Sequence, residues 1–123
     1  MEIVFALDND PDAIASFQNN FPAATTSNSD IQHFNYKILA DLIDSEADKP
    51  TLFACCAPCQ PFTKLNTQQH DEDFRLSLLD YFGKQVEFFK PEYVFIENVP
   101  GIQKNRGDDS PISRFMKDRK SVV

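Results

Sequence analysis

Glycine is scarce in this sequence. Only Gly83, Gly101 and Gly107 occur in 123 residues, so no glycine-rich loop opens the chain, and tryptophan is absent. Basic residues are also short, 12 against 19 acidic, giving a net charge of −7 and a pI near 4.6. That balance argues against a domain gripping nucleic acid by itself, because phosphate binding needs clustered Lys and Arg. Cysteine is limited to Cys55, Cys56 and Cys59, two of them adjacent. This excludes a secreted disulfide framework and makes a reducing cytoplasm the expected location. The two histidines, His33 and His70, lie in polar stretches. A zinc site would need a fourth ligand and usually a second Cys pair, so no metal is expected. No apolar run is long enough to span a membrane, and no charged-then-apolar leader begins the chain. No internal repeat, low-complexity tract or linker divides it, and a single domain over residues 1–123 is expected.

What remains reads as alternating strands and helices. Residues 1–7 (MEIVFAL) form an apolar run meeting Asp8-Asn9-Asp10-Pro11, a strand ending in an acidic turn. Asp10 suits an N-cap and Pro11 the first helical turn. Ala13, Ile14, Phe17 and Phe21 follow at helical spacing, which predicts an amphipathic helix over 11–20. The polar stretch 23–35 reads as a loop. Ile38, Leu39, Leu42 and Ile43 predict a helix over 36–47. Thr51-Leu52-Phe53-Ala54 predicts a buried strand, ending in a loop that starts at Cys55. Leu78, Leu79, Phe82, Val86 and Phe89 share one stripe of a helix over 74–89. Tyr93-Val94-Phe95-Ile96 predicts another buried strand, and a short helix is expected over 111–120. Strands separated by helices imply parallel βαβ units in an α/β layer fold. Ligands of such sheets bind outside the carboxyl ends of the strands. Asp8, Cys59 and Glu97 are expected just past three such ends, clustered along one rim.

Each of the three has two readings. Cys59 lies between Pro58 and Pro61, which restrict the backbone on either side. A thiol so held suits a positioned nucleophile, acting as thiolate. Cys55 and Cys56 read instead as small buried hydrophobes. Glu97 is either an exposed carboxylate starting a loop or a partly buried acid of raised pKa that exchanges protons near neutrality. Asp8 is either a neighbour of the helix cap or the acid that accepts ribose hydroxyls in nucleotide-binding βαβ units. Cys56-Ala-Pro-Cys59 also has the Cys-x-x-Cys form of a thioredoxin-like redox site.

The residues Ala57-Pro58-Cys59-Gln60-Pro61-Phe62-Thr63 resemble the Pro-Cys-Gln-x-Phe-Ser nucleophile loop of the cytosine-C5 DNA methyltransferases. Glu97-Asn98-Val99 is similar to that family's Glu-Asn-Val block. Asp8-Asn9-Asp10 with Ala13 and Asn20-Phe21-Pro22 resembles its second block, and Asp30-Ile31 its third. The likeness runs over roughly residues 3–103. It implies a partial Rossmann-like class I methyltransferase fold: a mostly parallel sheet with flanking helices, lacking the first strand and the glycine-rich loop. By the same resemblance Cys59 would add to C6 of a flipped cytosine in double-stranded DNA. C5 would then take the methyl group of S-adenosylmethionine, in a restriction-modification context. Glu97 would hydrogen-bond N3 and the exocyclic amine, and Asn98 would hold the loop. Asp8 would bind the cofactor ribose, with Asn9, Asp30 and Ile31 at the adenine and Pro58 and Leu78 lining the pocket. Gln60 and Thr63 would face DNA.

The departures carry equal weight. The family's opening strand with its Phe-x-Gly-x-Gly loop has no counterpart here, nor has its Gln-x-Arg-x-Arg block or its target-recognition region. Thr63 stands where Ser is usual and keeps the hydroxyl. The chain also begins directly in a strand, so the natural fold is expected to start earlier. The resemblance therefore implies a central piece, weakly active or inactive alone. A second chain or segment would supply the missing blocks, or the piece would serve as a non-catalytic fragment completing a partner's site.

Overall fold

The computed structural model describes residues 1–56, 72–97 and 111–117, without the side chains of 72–77, 111, 112 and 114. These residues form two compact units, Met1–Lys49 and Pro50–Val123.

In the first unit, β1 (Phe5–Asp8) leads into α1 (Pro11–Asn20). The Asp10 carboxylate accepts the backbone N–H of Asp12 at 2.9 Å and of Ala13 at 3.4 Å, satisfying two donors the helix leaves orphaned. Pro11 fills the first turn at no hydrogen-bonding cost, and Asp12 opposes the helix dipole there. Ile14 and Phe17 are the half-buried residues of this helix, and Phe17 meets Phe21 with ring centroids 4.9 Å apart. Then comes β2 (Thr25–Asn28), parallel to β1 with Phe5 opposite Thr25 and Asp8 opposite Asn28. Two expectations are corrected here. The first strand starts at Phe5 rather than residue 1, the preceding four side chains being exposed. Thr25–Asn28, expected within a loop, is a strand. Its four polar residues have no apolar alternation to announce it. What makes it a strand is the set of backbone donors and acceptors along β1, beginning with Thr25 N–H to Val4 C=O at 3.0 Å.

The helix α2 (Tyr36–Ser45) is capped by Asn35, whose side chain accepts the Lys37 N–H at 2.9 Å, and ends two residues earlier than expected. Ala24, Phe34 and Leu39 form the small core of this unit, with the Phe34 ring 5.3 Å from Phe5.

In the second unit, β3 (Leu52–Cys56) and β4 (Tyr93–Glu97) pair in parallel, Leu52 opposite Tyr93 and Cys56 opposite Glu97. The long helix α3 (Glu72–Phe89) precedes β4, and α4 (Pro111–Lys117) packs on α3. Leu79, Phe82, Val86 and Phe115 are buried, and the Phe82 and Phe115 rings stack at 6.1 Å. Phe53 of β3 meets Phe89 of α3 at 5.8 Å, which seats the helix on one sheet face. The stripe expected on α3 is therefore the one that packs. The helix stops at Lys90, which turns into the left-handed region (φ 49°) while its N–H bonds Val86 C=O at 2.9 Å.

The strands of this unit correct two further expectations. β3 continues through Cys55 and Cys56 instead of ending at Ala54. Neither strand is buried: both alternate exposed and half-buried residues. Cys55 is half-buried and Cys56 exposed, so Cys56 is not the interior hydrophobe that was expected. An alternating strand has one covered face, and here α3 covers one face only.

All strand pairing among the described residues is parallel, as expected for an α/β fold. Among the described residues it takes the form of two separate two-stranded sheets.

Candidate active site

The carboxyl end of the β1–β2 pair gathers four of the residues singled out in the sequence. Asp8 closes β1, and its Oδ1 accepts the Asp10 N–H at 2.8 Å, forming the Asx-turn that starts α1. Its backbone carbonyl is bonded twice, by the Ser29 N–H and by Asn28 Nδ2, each at 3.1 Å. The second strand end is thereby tied to the first. Asn28, expected within a loop, is a strand residue whose side-chain amide makes this tie. The Thr-Thr pair before it was the available signal, β-branched residues favouring strands. Two residues beyond Asn28, Asp30 makes its own turn: Oδ1 accepts the Gln32 N–H at 2.8 Å, and the Asp30 carbonyl accepts the His33 N–H at 3.0 Å. Asp8 and Asn9 are exposed, while Asp30 and Ile31 are half-buried. Each aspartate uses Oδ1 on its own turn, and among the described residues Oδ2 forms no bond. This is a suitable arrangement for accepting hydrogen bonds from a hydroxyl pair or an exocyclic amine.

The second unit holds the other described site residues. Glu97 is the last residue of β4, opposite Cys56 at the last position of β3. Both side chains are exposed and lie on the same sheet face, given the shared alternation of the two strands. Asp8 and Glu97 are thus final strand residues rather than the first residues beyond. The partly buried state considered for Glu97 is not observed; its carboxylate is exposed. Leu78, on α3, is half-buried. The start of the strand pair is clamped by Glu92, whose Oε2 accepts the Thr51 N–H at 2.6 Å and the Thr51 hydroxyl at 2.8 Å. These two bonds, backbone first, hold the Glu92 carboxyl below the usual range. The clamp keeps β3 and β4 in the register that sets Glu97 level with Cys56. Pro58, Cys59, Gln60, Thr63 and Asn98 lie outside the described residues, as does the rest of the nucleophile loop.

A family model for C-5 cytosine-specific DNA methylases matches residues 1–115. The type II methyltransferase M1.BsuMI of Bacillus subtilis (strain 168) is 31% identical over 105 residues, covering 80% of this chain and 25% of the relative. The tRNA (cytosine(38)-C(5))-methyltransferase of Spodoptera frugiperda is 29% identical over 106 residues, covering 85% of this chain and 30% of its own. Among solved structures, a protein described as a prophage-encoded DNA modification methyltransferase of E. coli superposes with a TM-score of 0.71. It is 24% identical and covers 94% of this chain and 30% of that one, so the fold is shared. The chain spans between a quarter and a third of the length of these proteins. A match over nearly its whole length, joined to a shared fold, establishes that the chain belongs to the C-5 cytosine-specific DNA methylase family.

Proposed function

We propose that this chain carries the nucleophile and the acid of a DNA cytosine-C5 methyltransferase. Cys59 is the nucleophile, Glu97 the acid, and Asn98 the residue steadying the loop after it. The observation that supports this most directly is the parallel register of β3 and β4, with Glu97 opposite Cys56. Cys59 follows Cys56 by three residues in sequence, which supports its acting beside the carboxylate in this reading.

In the reaction proposed, the target cytosine is flipped out of the duplex, since C5 and C6 are inaccessible within the stack. The Cys59 thiolate forms a bond to C6. Glu97 stabilises the ring by hydrogen bonds at N3 and the exocyclic amine as charge develops there. Once C5 has been methylated, loss of its proton and departure of the Cys59 sulfur restore the aromatic ring. S-adenosylmethionine supplies the methyl group. The open Oδ2 of Asp8 would accept from its ribose, and Asn9, Asp30 and Ile31 would meet its adenine. Pro58 and Leu78 are further cofactor-binding residues in this reading, and Gln60 and Thr63 would face the DNA. We place the activity within a restriction-modification system, in keeping with the type II methyltransferases among the relatives, and in the cytoplasm.

A second polypeptide or segment supplies the missing blocks in this reading, so the isolated chain transfers methyl groups feebly or not at all. The test is covalent trapping of the reconstituted enzyme on a duplex containing 5-fluorocytosine, whose fluorine blocks release. An adduct with the native chain and none with Cys59→Ser is the expected result. Trapping by Cys59→Ser would overturn the nucleophile assignment, and trapping on a tRNA probe but not on the duplex would overturn DNA as substrate. A reversible Cys56–Cys59 disulfide with no trapping would favour the redox alternative.

A further inference from the structure

We propose that Asn28 is a positioning residue for cofactor binding: its side-chain amide holds the backbone of Asp8, so that the Asp8 carboxylate meets a ribose in one orientation. The inference rests on the reading above of Asp8 as the ribose acceptor. It gives a role to a residue outside the motifs that carry the family resemblance. Asp8 and Asn28 stand opposite each other at the last register position of β1 and β2. There the Asp8 carbonyl accepts two hydrogen bonds, from the Ser29 N–H and from Asn28 Nδ2, each at 3.1 Å. The first is a backbone bond, open to any residue at 29 except proline. The second depends on the side chain at 28, which must be short and carry an N–H donor. Alanine and ionised aspartate carry none. The direction of the amide follows from its partner, because only the Nδ2 end can face a carbonyl.

This bond holds more than a strand end. The Asp8 carbonyl belongs to the planar peptide unit that joins Asp8 to Asn9. Fixing its oxygen fixes the rotation about the Asp8 Cα–C bond, and with it the path of the chain into α1. On the same residue, Oδ1 accepts the Asp10 N–H at 2.8 Å. The Asx-turn therefore closes on a peptide plane held from β2. With Oδ1 committed to the turn, Oδ2 is left for a ribose hydroxyl, and the same ring of bonds sets its direction. An acceptor ordered before its ligand arrives lowers the ordering cost of binding. Folding gains less from the bond. Asp8 and Asn28 are both exposed, where water competes for the same groups. The Ser29 bond, the Asp10 cap and the core of Ala24, Phe34 and Leu39 all persist without the Asn28 amide.

The experiment titrates the full chain with S-adenosylhomocysteine and follows the Asp8 and Asn9 amides by NMR. The 2′,3′-dideoxy analogue, which has no ribose hydroxyl for Asp8 to accept, is the second probe. Asn28→Ala and Asn28→Asp should each raise the Kd for S-adenosylhomocysteine about fivefold, the worth of one hydrogen bond. The Kd of the analogue should not change. In an Asp8→Ala background Asn28→Ala should add nothing, since the two residues then act as one unit. Gln18→Ala removes another exposed bond of this unit, donated by the Thr26 hydroxyl at 2.8 Å, and should leave both Kd values unchanged. The amide spectrum of each variant checks that it folds. Equal weakening for both probes, or weakening that persists without Asp8, makes the role of Asn28 merely structural and overturns the proposal. An unchanged Kd in both Asn28 variants overturns it as well. Binding that depends on Asp8 and ignores Asn28 sinks this inference alone. A native chain that binds both probes equally, or neither, sinks the ribose assignment of Asp8 and this inference with it.

Discussion

Gln85 is the residue whose chemistry fits its surroundings least. It is 5% exposed on the packed side of α3 with Phe82 and Val86, and its Nε2 has no hydrogen-bond partner among the described residues. A buried donor left unmade costs about 1–3 kcal/mol, whereas an apolar group of similar shape avoids that cost. Gln85→Met is therefore expected to stabilise the chain by about 1 kcal/mol. A denaturant midpoint that stays put or falls would show that the amide has an undetected role. Other residues behave as local chemistry dictates. Asp10 and Pro11 announce the start of α1 because a cap and a first-turn proline act within four residues of backbone. Glu97 was less legible. Tyr93 to Ile96 look uniformly apolar, and only the observed alternation shows that their neighbour ends on the open face.

At the scale of elements, the β3–β4 pair depends on a tie between residues 41 apart in sequence, Thr51 and Glu92. The Glu92 carboxyl sits below its ordinary value of 4.5 because the Thr51 N–H, and then the Thr51 hydroxyl, bond the charged form. A depressed carboxyl contributes stability above its unfolded value and loses it as pH falls through the folded one. The stability gap between the native chain and Glu92→Gln should thus be constant at neutral pH and close on acidification below the ordinary glutamate range. Thermal unfolding from pH 7 to pH 3 checks this. A gap that widens toward acid would remove the clamp from the account. The same pair explains why β3 outran its expected end. Each residue from Leu52 to Cys56 finds a partner on β4, and that partner is invisible to a window of local sequence.

At the scale of the whole molecule, charge and burial set what the chain is expected to do alone. The net charge of −7 offers little to a phosphate backbone. The chain alone should bind duplex DNA more weakly than the ~100 μM limit of ordinary non-specific binding, with almost no salt slope. Fluorescence anisotropy at 50 and 200 mM salt checks this. Tight, steeply salt-dependent binding would show that basic residues cluster in spite of the balance. Burial is thin: Ala24, Phe34 and Leu39 in one unit, and Leu79, Phe82, Val86 and Phe115 in the other, while Tyr93, Phe95, Phe88 and Met116 remain more than half exposed. A two-stranded sheet needs further strands or helix cover for independent stability.

Sequence alone determined the family motifs, the four described helices and the strand–helix order apart from Thr25–Asn28, because capping, helical periodicity and proline punctuation act over a few residues. Only the tertiary structure decided that Thr25–Asn28 is a strand, that Cys56 stands level with Glu97, and that one face of β3 and β4 is open. Those features come from pairing between segments far apart in the chain, where backbone groups are satisfied by whichever strand lies alongside, whatever side chains it carries.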